Sequence, residues 1–579
     1  MADKYERIME LAKRRGFIWP FAEIYGGVRG FIDFGPLGTV LKHNIEEKWR
    51  RFFIHRHSDF IVEIETPIIM PAKVFEASGH LKHFTDYIVE CTSCHRKFRA
   101  DHLVASSTDI VEVESLSIED LNRIIKDREV RCPECGGILD EVKTFNLLFK
   151  TTIGPYSENV GYARPEAAQG MFLAFKRVYE SMRSKLPLGI AQIGRVMRNE
   201  ISPRQGPIRL REFTIMEIEL FFDPEQSSCP LFDNVKNIPL SIIPEDKVRK
   251  GLLKPISITA KKAVEEGYIV NEWQAYFMVL GKIFMESLGI PSEMQIFIDK
   301  PREERAHYSA QTFDQVVKLE RWGYVEVAGY SYRTDYDLSR HMKFSGVDLR
   351  VYRQLDKKIL KEKVTVKPNM KILGPKFKSK VRELLTSLNY DSLASELLSK
   401  GFVEVAGYKL SKDDFIISRE KFEVGGIHFL PHVVEPSFGS DRVTYTVLEY
   451  AFHEKDGRII LKLPRDVAPI QVSVFPLVSK DGLPELATKI YRLLLEAGLR
   501  VEYDESGSIG RRYVRADEIG VPIAVTVDYD SLRDGSVTLR DRDTWRQVRI
   551  KISDLKERLL KYFEGSLCFE ELGTLFKGR

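Results

Sequence analysis

Long hydrophobic runs are missing from this sequence, since no apolar stretch approaches the ~20 residues that a helix needs to cross a bilayer. A large excess of charge of one sign is also missing: 88 Lys and Arg residues are balanced by 84 Asp and Glu residues, which leaves a formal net charge of +4. This near balance excludes a protein that coats a polyanion with its whole surface, so any nucleic-acid contact must come from local basic patches. Internal repeats and low-complexity segments are absent as well.

Cysteine is rare, with six residues in 579, and four of the six form two Cys-x-x-Cys pairs. Such pairs suit a reducing compartment and a bound metal better than disulfides. The amino-terminal stretch "MADKYERIMELAKRRGF" is charged and amphipathic, and it lacks the apolar centre of a signal peptide. These features predict a soluble, cytoplasmic protein without a membrane segment.

A chain of this length is too long for one hydrophobic core and is expected to divide into about three or four domains. Apolar spacing predicts a helix at residues 37–55, and the next apolar stretch reads as a strand interrupted by Pro67. A strand is predicted at 325–333 and a strand-to-helix passage at 432–452. After Pro464, short strand patterns separated partly by helices indicate a compact α/β module.

The stretch "MRNEISPRQGPIRLREFTIMEIE", residues 197–219, concentrates paired charge on either side of a turn. Alternation predicts two strands, with Arg198 and Glu200 on one face of the first. Arginine forks match phosphate, an aromatic ring stacks on a purine, and a carboxylate can hold an ammonium group. The pattern therefore predicts a site for a nucleotide phosphate beside a small amine, the alternative being a solvated hairpin with cross-strand ion pairs. The return strand is predicted to carry a charged face, Arg209, Arg211, Phe213, Glu217 and Glu219, and a core face, Met216, Ile218, Leu220 and Phe222.

Three blocks resemble the signature motifs of class II aminoacyl-tRNA synthetases. "MRNE", "RLREF" and the acid four residues beyond Phe213 resemble motif 2, "EPSFGSDR" at 435–442 resembles motif 3, and the strand around Pro67 resembles motif 1. Longer blocks, among them "GFIWPFAEIYGGVRGFIDFGPLG", "ARPEAAQGMFLAFKR" and "SIGRRYVRADEIG", resemble the glycyl-tRNA synthetases of the dimeric, archaeal-eukaryotic type. The resemblance runs over nearly the full chain.

Motifs 2 and 3 imply a set of ATP contacts. By the resemblance, Arg198 contacts the α-phosphate and the amino-acid carboxylate, and Phe213 stacks on adenine. Arg209 lies near the outer phosphates, and Glu200 lies toward the adenine amino group. Arg442 contacts the γ-phosphate from a predicted helix N-terminus, where free N–H groups favour an anion, and Mg²⁺ bridges the phosphates. The implied ATP-binding residues are Arg198, Asn199, Glu200, Arg209, Phe213, Glu326, Arg333 and Arg442.

The same resemblance implies a glycine pocket formed by Glu166, Glu217, Glu435 and Ser437. Because glycine offers no side chain to grip, the site must hold its ammonium group strongly and exclude a methyl group sterically. Arg198, Arg442 and Glu217 are the implied catalytic residues, and no general base is needed, because the attacking carboxylate is already ionised. Each glutamate taken alone also fits a structural ion pair.

The cysteine pairs read as the two knuckles of a zinc ribbon with a long insert between them. Four thiolates complete a tetrahedron and leave no position for substrate, so the predicted zinc site is structural. Unmetallated buried thiols are the alternative. The predicted ligands are Cys91, Cys94, Cys132 and Cys135.

The C-terminal module carries basic residues beside carboxylates, a combination that suits a single-stranded RNA loop. The resemblance identifies it as an anticodon-binding domain. The alternative is a solvated, salt-bridged α/β surface. The predicted RNA contacts are Arg511, Arg512, Glu518, Thr538, Arg540 and Arg542.

Together these observations predict an α/β protein: an α+β catalytic core on a mixed, mostly antiparallel sheet, a zinc-ribbon insert and a C-terminal α/β domain. The implied activity is activation of glycine with ATP and its transfer to tRNA(Gly) by a homodimer. Two rivals are a catalytically silent, RNA-binding relative and a relative that activates threonine, proline or histidine. Arg198, Phe213 and Arg442 argue against the first rival, and the glutamates with "EPSFG" argue against the second. The predicted parts are 1–88 with motif 1, 89–144 with the zinc ribbon, 145–463 with motifs 2 and 3 and a Lys-rich middle insertion, and 464–579 with the anticodon-binding domain.

Overall fold

The structure is a computed structural model that describes residues 3–108, 116–203 and 205–576. The chain forms two compact units, which are described separately. The main unit comprises Met1–Leu349 and Pro431–Arg579, and the insert unit comprises Arg350–Leu430. Within the described ranges, no helix is both long enough and apolar enough to span a bilayer.

The main unit is built on a nine-stranded sheet. In the described part of the chain, two of its neighbouring strand pairs are parallel and the others are antiparallel, which confirms the predicted mixed, mostly antiparallel sheet. The strands in spatial order are Ile256–Thr259, Pro239–Ile243, Gln295–Asp299, Gln311–Leu319, Gly323–Thr334, His432–Gly439, Glu212–Phe222, Leu188–Met197 and Ile61–Glu63.

The core of the main unit lies on one face of this sheet, under the helices Pro36–Phe53, Glu272–Ser287 and Ser440–Ala451. The first and third of these helices confirm the predicted helix at 37–55 and the predicted strand-to-helix passage. Met216, Ile218, Leu220 and Phe222 all belong to this core, as their alternation along the strand predicts. The odd-numbered residues of the same strand are therefore free to face the other side of the sheet.

The remaining elements of the catalytic region surround the sheet. The strand predicted around Pro67 divides into Ile61–Glu63, which joins the large sheet, and Ile69–Pro71, which pairs with Val160–Ala163. The other helices are Lys4–Arg15, Ala72–Ala77, His80–His83, Ala168–Ser181, Glu245–Val248, Ala260–Glu265 and Tyr336–Ser345, and the other short strands are Ile18–Pro20, Ile32–Phe34, Lys150–Thr152, Phe452–Lys455 and Arg458–Leu461.

The cysteine-bearing insert has its own small core, in which Val89, Phe98, Leu103, Leu121 and Val142 are buried together. Its residues on either side of 109–115 form a three-stranded sheet and two helices. Its elements are Thr85–Glu90, Lys97–Arg99, Ala100–Ser107, Ile118–Asp127 and Lys143–Asn146.

The C-terminal module is a six-stranded sheet with helices, as its strand patterns predict. It is not separate from the catalytic core, because Phe475, Ile519 and Val521 share one hydrophobic cluster with the core helices. Its strands in spatial order are Val501–Tyr503, Val472–Pro476, Ile523–Val527, Ser536–Asp541, Gln547–Lys551 and Thr574–Leu575, and its helices are Leu483–Glu496, Ile509–Ile519, Tyr529–Asp534 and Ile552–Glu564.

The insert unit contains the Lys-rich segment. Two long strands, Val351–Pro368 and Phe415–Phe429, pair along their length and enclose a helical part with its own core, which includes Leu373, Leu397 and Leu410. Its further elements are Met370–Phe377, Val381–Thr386, Tyr390–Lys400, Phe402–Val405 and Tyr408–Ser411.

Candidate active site

A cleft of about 880 Å³ opens on the polar side of the large sheet. Its walls come from the strands Glu212–Phe222, Gly323–Thr334 and His432–Gly439, which are neighbours in the sheet. The antiparallel register brings motif 2 and motif 3 side by side, with Glu217 opposite Ser437. The predicted residues that line this cleft are Glu166, Arg198, Glu200, Arg209, Phe213, Glu217, Glu326, Glu435, Ser437 and Arg442.

The motif 2 hairpin differs from the prediction in its first strand. The strand Leu188–Met197 ends before Arg198, and its last pair joins Met197 to Glu212. Residues 198–203 and 205–211 therefore lie in a loop with a short 3₁₀ turn at Gly206–Ile208, so Arg198 and Glu200 do not share a strand face. Arg209 and Arg211 also lie in this loop, because the return strand begins only at Glu212. Proline and glycine in this segment disfavour ladder hydrogen bonds, which explains why the charged residues lie on a loop instead.

Internal contacts hold the loop arginines in the cleft. The Arg209 Nε atom lies 2.8 Å from Oε2 of Glu200. The Arg198 guanidinium lies 5.4 Å from the centre of the Phe213 ring, and its Nε donates to the Pro165 carbonyl oxygen at 3.1 Å. These contacts order cationic groups beside an aromatic face before any ligand arrives.

Arg442 lies in the first turn of the helix Ser440–Ala451, as predicted. Its Nε donates to the carbonyl oxygen of Ile208 in the motif 2 loop at 3.1 Å, and its Nη1 lies 3.3 Å from Oε2 of Glu326. Arg442 therefore connects the motif 2 loop, the neighbouring strand and the motif 3 helix at the wall of the cleft.

Asp314 is a cleft residue that the sequence analysis missed. It lies on the strand Gln311–Leu319, and its Oδ2 is 3.2 Å from the Lys300 ammonium nitrogen. Burial, together with the charge of Glu326, raises the pKa of Asp314 to about 7. The sequence signal was one acidic residue in a strand whose other charged residue is Lys318, which is too weak to single out alone.

Glu217 is buried at the other end of the cleft, where it binds the start of a helix. Its Oε2 accepts hydrogen bonds from the backbone N–H groups of Ala167 at 2.8 Å and Ala168 at 3.0 Å, at the N-terminus of Ala168–Ser181. Free N–H groups and the helix dipole favour a carboxylate there. The contacts fix one carboxylate oxygen of Glu217 at the helix start, on the lining of the cleft.

Glu166 is buried beside Arg333. Its Oε1 accepts from Arg333 at 3.3 Å and from Gln169 at 2.8 Å, and its Oε2 accepts from the Tyr308 hydroxyl at 3.1 Å. Although burial alone would raise it, the charges of Arg333 and His80 hold the pKa of Glu166 well below its ordinary value. Glu166 is therefore ionised in the fold.

Arg333 lies in a different place from the predicted ATP contact. Its side chain is fully buried and is absent from the cleft lining, because its guanidinium pairs with Asp337 at 2.9 Å and Glu435 at 3.0 Å as well as with Glu166. Asn199 is also absent from the lining, and its backbone N–H donates to Leu147. The geometry puts Arg333 behind the buried end of the cleft, in contact with three carboxylates.

Glu217 and Glu435 are diagonal neighbours on adjacent strands, with carboxylate oxygens within 4.8 Å of each other. Burial raises the pKa of Glu217, and the charge of Glu166 adds to the shift. Burial raises the pKa of Glu435 well above its ordinary value despite the opposing charge of Arg333. A cation that enters this end of the cleft therefore meets two carboxyl groups whose negative charge is not fully balanced by neighbouring positive groups.

The four predicted zinc ligands come together in the cysteine-bearing insert. The sulfur atoms lie within 4.8 Å of one another, with Cys91 to Cys135 at 3.5 Å and Cys94 to Cys132 at 3.7 Å. Zn–S bonds of about 2.3 Å in a tetrahedron place sulfur atoms about 3.8 Å apart. The spacing fits a tetrahedral metal site.

The residues predicted to contact RNA are mostly internal. Arg540 pairs bidentately with Asp517 at 2.8 and 3.0 Å, and Arg14 and Arg15 contact Glu518. The strand that carries Arg540 is central in its sheet and covered on both faces, so alternation predicted a shared face but not its exposure. This corrects the assignment of the buried residues to direct RNA contact. The buried residues are Arg512, Glu518, Thr538, Arg540 and Arg542, and the exposed one is Arg511.

Two family models match the chain. Residues 156–429 match the tRNA synthetase class II core domain (G, H, P, S and T), and residues 471–562 match an anticodon binding domain. A solved prolyl-tRNA synthetase from Cryptosporidium parvum, complexed with halofuginone and AMPPNP, superposes with a TM-score of 0.52 at 14% identity and covers 98% of this chain and 77% of that one. Identity this low shows the shared fold alone.

Curated relatives extend over the full length. The chain is 54% identical to a glycine–tRNA ligase of Aeropyrum pernix over 99% of both sequences. It is 48% identical to that of Pyrococcus horikoshii, over 97% of this chain and 99% of the other, and 44% identical to that of Methanothrix thermoacetophila, over 99% and 100%. The chain has the class II core, its paired motifs lie in one cleft, and its relatives match it over nearly their full length. It therefore belongs to the glycine–tRNA ligase family of class II aminoacyl-tRNA synthetases.

Proposed function

We propose that this protein activates glycine with ATP to form glycyl-adenylate and pyrophosphate, and then transfers glycine to the 3′ end of tRNA(Gly). The observation that carries the proposal is one cleft with arginines at one end and buried glutamates at the other. A nucleotide phosphate and a small amine need these two environments side by side. Relatives named for this reaction match the whole chain.

In the proposed adenylation step, the glycine carboxylate attacks the α-phosphorus and pyrophosphate leaves. Arg198 contacts the α-phosphate and the attacking carboxylate, while Phe213 stacks on adenine. Arg209 and Arg442 neutralise charge on the outer phosphates, and Arg209 exchanges its ion pair with Glu200 for this contact. Positioning and preorganised charge supply the rate enhancement, because the nucleophile needs no deprotonation.

Glycine selection follows from the buried end of the cleft. The ammonium group binds between Glu217 Oε1 and Glu435, with Glu166 nearby, while Ser437 limits the space beside the α-carbon. A side chain larger than hydrogen meets this filled wall, so alanine is rejected sterically rather than by weaker attraction. Arg333 orients Glu166 and Glu435 from below.

Two metal ions belong to the proposal. Asp314 and Glu326 are carboxylates of the cleft wall beside Arg442 and would hold Mg²⁺, which supplies charge neutralisation on the ATP phosphates when bound. Zinc would be held by the four cysteines. Their spacing leaves no open position, so this ion would stabilise the insert and take no part in catalysis.

We also infer a cytoplasmic homodimer that binds tRNA(Gly) through its C-terminal domain. Support for the dimer comes from an exposed apolar turn between the paired strands Ile18–Pro20 and Ile32–Phe34, where Ile24 is 88% and Tyr25 is 86% exposed. Exposed apolar patches of this kind mark interaction sites, and a second copy would bury them. Sedimentation of the wild type and of an Ile24→Glu, Tyr25→Ser variant tests this, since a wild-type monomer would contradict it.

ATP–pyrophosphate exchange with each of the twenty amino acids tests the proposed activity. We expect exchange with glycine alone at physiological concentrations, and none with alanine. Exchange with threonine, proline or histidine would identify a relative of different specificity. Absence of exchange with all twenty, from a folded protein that binds RNA, would favour the silent RNA-binding relative.

A further inference from the structure

Glu219 is a buried carboxylate with no role in the proposed reaction. Its side chain is entirely inside the protein, and among the described residues neither carboxylate oxygen has a hydrogen-bond partner. An ionised carboxylate in such a place would cost several kcal/mol, so an unpaired buried acid normally stays protonated or performs a task. It does not line the cleft.

The strand register places Glu219 directly beneath the amino-acid pocket. Glu217 pairs with Ser437 and Leu220 pairs with Val434, so Glu219 lies opposite Glu435 on the neighbouring strand. Side chains opposite each other on antiparallel strands lie about 5 Å apart at Cβ. Oxygen atoms of Glu217, Glu219 and Glu435 lie within 4.8 Å of one another.

The charges around Glu219 decide which form it takes. Glu435, Glu217 and Asp337 face it with negative charge, and Arg333 is the positive group that opposes them. Arg333 already contacts Glu166, Asp337 and Glu435 directly. Burial and these carboxylates raise the pKa of Glu219 well above its ordinary value. The same site cannot hold a further ionised acid without a further cation.

We propose that Glu219 is a positioning residue of the glycine pocket: as an uncharged carboxylic acid it donates its O–H to Glu435 and so orients the carboxylate that receives the substrate ammonium. Glu217 is a poorer acceptor, because its Oε2 already accepts two backbone N–H groups. Carboxylate oxygens of Glu219 and Glu435 lie within 4.8 Å of each other, a separation that one bridging water can span. A hydrogen bond to a charged acceptor is among the stronger ones.

This inference rests on the proposed glycine pocket, and the substitutions separate the two. Glu219→Met keeps the side-chain length and removes the donor, so the glycine KM in pyrophosphate exchange should rise about ten- to a hundredfold, while the ATP KM stays near wild type. Glu219→Gln keeps a donor without charge and should restore most of the glycine affinity. Glu212→Gln, on the exposed end of the same strand, is the matched control and should leave both constants unchanged.

Each outcome has a distinct meaning. If Glu219→Gln raises the glycine KM as much as Glu219→Met, Glu219 acts as an ionised ligand and the proposal fails. An unchanged glycine KM in a folded Glu219→Met variant also overturns it, because the residue then only fills space. If Glu217→Gln, assayed alongside, leaves the glycine KM unchanged, the proposed pocket itself is wrong.

An infrared measurement keeps the proposal testable if Glu219→Met does not fold. The difference spectrum of wild type minus Glu219→Gln at pH 7 should show the C=O stretch of a protonated carboxylic acid. On addition of glycine without ATP, this band should shift, because the hydrogen bond to Glu435 changes. A carboxylate band in place of the acid band would refute the uncharged form.

Discussion

The ammonium nitrogen of Lys42 lies 3.3 Å from Oδ1 of Asp441, although 398 residues separate them in the chain. Lys42 also donates to the Thr214 hydroxyl at 2.7 Å, and the Thr214 backbone N–H donates to Asp441 at 2.6 Å. The three residues come from the helix Pro36–Phe53, the strand of motif 2 and the helix of motif 3. One buried network therefore holds these three elements in register.

Lys42→Met should weaken both the fold and the adenylation step. It leaves Asp441 buried without its cation, a loss of about 3–5 kcal/mol, and it frees the helix that presents Arg442. We expect a lower Tm and slower glycine-dependent exchange. The double variant Lys42→Met, Asp441→Asn should recover part of the Tm, because Asn still accepts from Thr214. Additive losses in the double variant would show that the two residues do not interact.

Glu217→Gln should raise the glycine KM far more than the ATP KM. The amide oxygen can still accept from Ala167 and Ala168, so the helix start stays capped, but an N–H₂ group replaces the oxygen that faces the ammonium. Unpairing a buried charge costs about 3–5 kcal/mol. Steady-state exchange kinetics with each substrate varied in turn measure the effect. Equal changes in both constants would remove Glu217 from the glycine pocket.

Purified protein should contain one zinc ion per chain by elemental analysis. The double variant Cys91→Ser, Cys94→Ser should lose it and unfold locally around the insert, because the metal supplies folding energy there. Cys568→Ser, an exposed cysteine away from the cluster, is the matched control and should retain the metal. Stoichiometric zinc in the double variant would place the ion elsewhere.

The stability of the protein should respond to pH through Glu219. Its pKa is raised in the fold, so between the ordinary value of 4.5 and the raised value the folded chain holds a proton that the unfolded chain has released. Stability from this group is therefore lost as pH rises through that window, by up to about 1.4 kcal/mol per unit. Glu219→Gln removes the loss, so its Tm relative to wild type should increase from pH 5 to pH 8. A constant difference would contradict a raised pKa.

Arg540→Ala should lower the stability of the fold first, and any effect on RNA binding should be secondary. The substitution leaves Asp517 buried without its bidentate partner, so we expect a clearly lower Tm. Arg511→Ala should leave the Tm unchanged and weaken tRNA binding in a salt-dependent way if Arg511 contacts phosphate. Filter binding at two salt concentrations, with pyrophosphate exchange as the control, separates the effects. Unaltered tRNA affinity in Arg511→Ala would remove the last of the six predicted RNA contacts.

Local pattern predicted some elements of this fold, among them the helix Pro36–Phe53 and the strand-to-helix passage at 432–452. The alternation of Met216, Ile218 and Leu220 with charged neighbours was sufficient to place one face of that strand in the core. The same reasoning failed at Arg540, where both faces of a central strand are covered. Periodicity reports which residues share a face, and the neighbouring strands and helices decide whether that face meets water.

The pairing of strands that are distant in the sequence limited how much of the candidate site could be predicted. The motif residues Glu166, Glu217 and Glu435 were predicted because their sequence context resembles a known family. Glu219 and Asp314 carry no such signal, since their importance depends on which strands become neighbours. The contacts of Arg333 with Glu166 and Glu435 carry no local signal either, because these carboxylates come from distant parts of the chain.

The insert unit begins and ends at a closed pair of strands. Val351 pairs with Phe429, and partners in an antiparallel ladder have Cα atoms only about 5 Å apart. The chain therefore leaves the catalytic sequence and returns to it through adjacent points, with a separate core between them. A segment of this kind is a cassette: it can be acquired, shortened or exchanged as a block, and a peptide of a few residues can close the gap that it leaves. A change of length between motifs 2 and 3 thus needs no change in the strands that line the cleft.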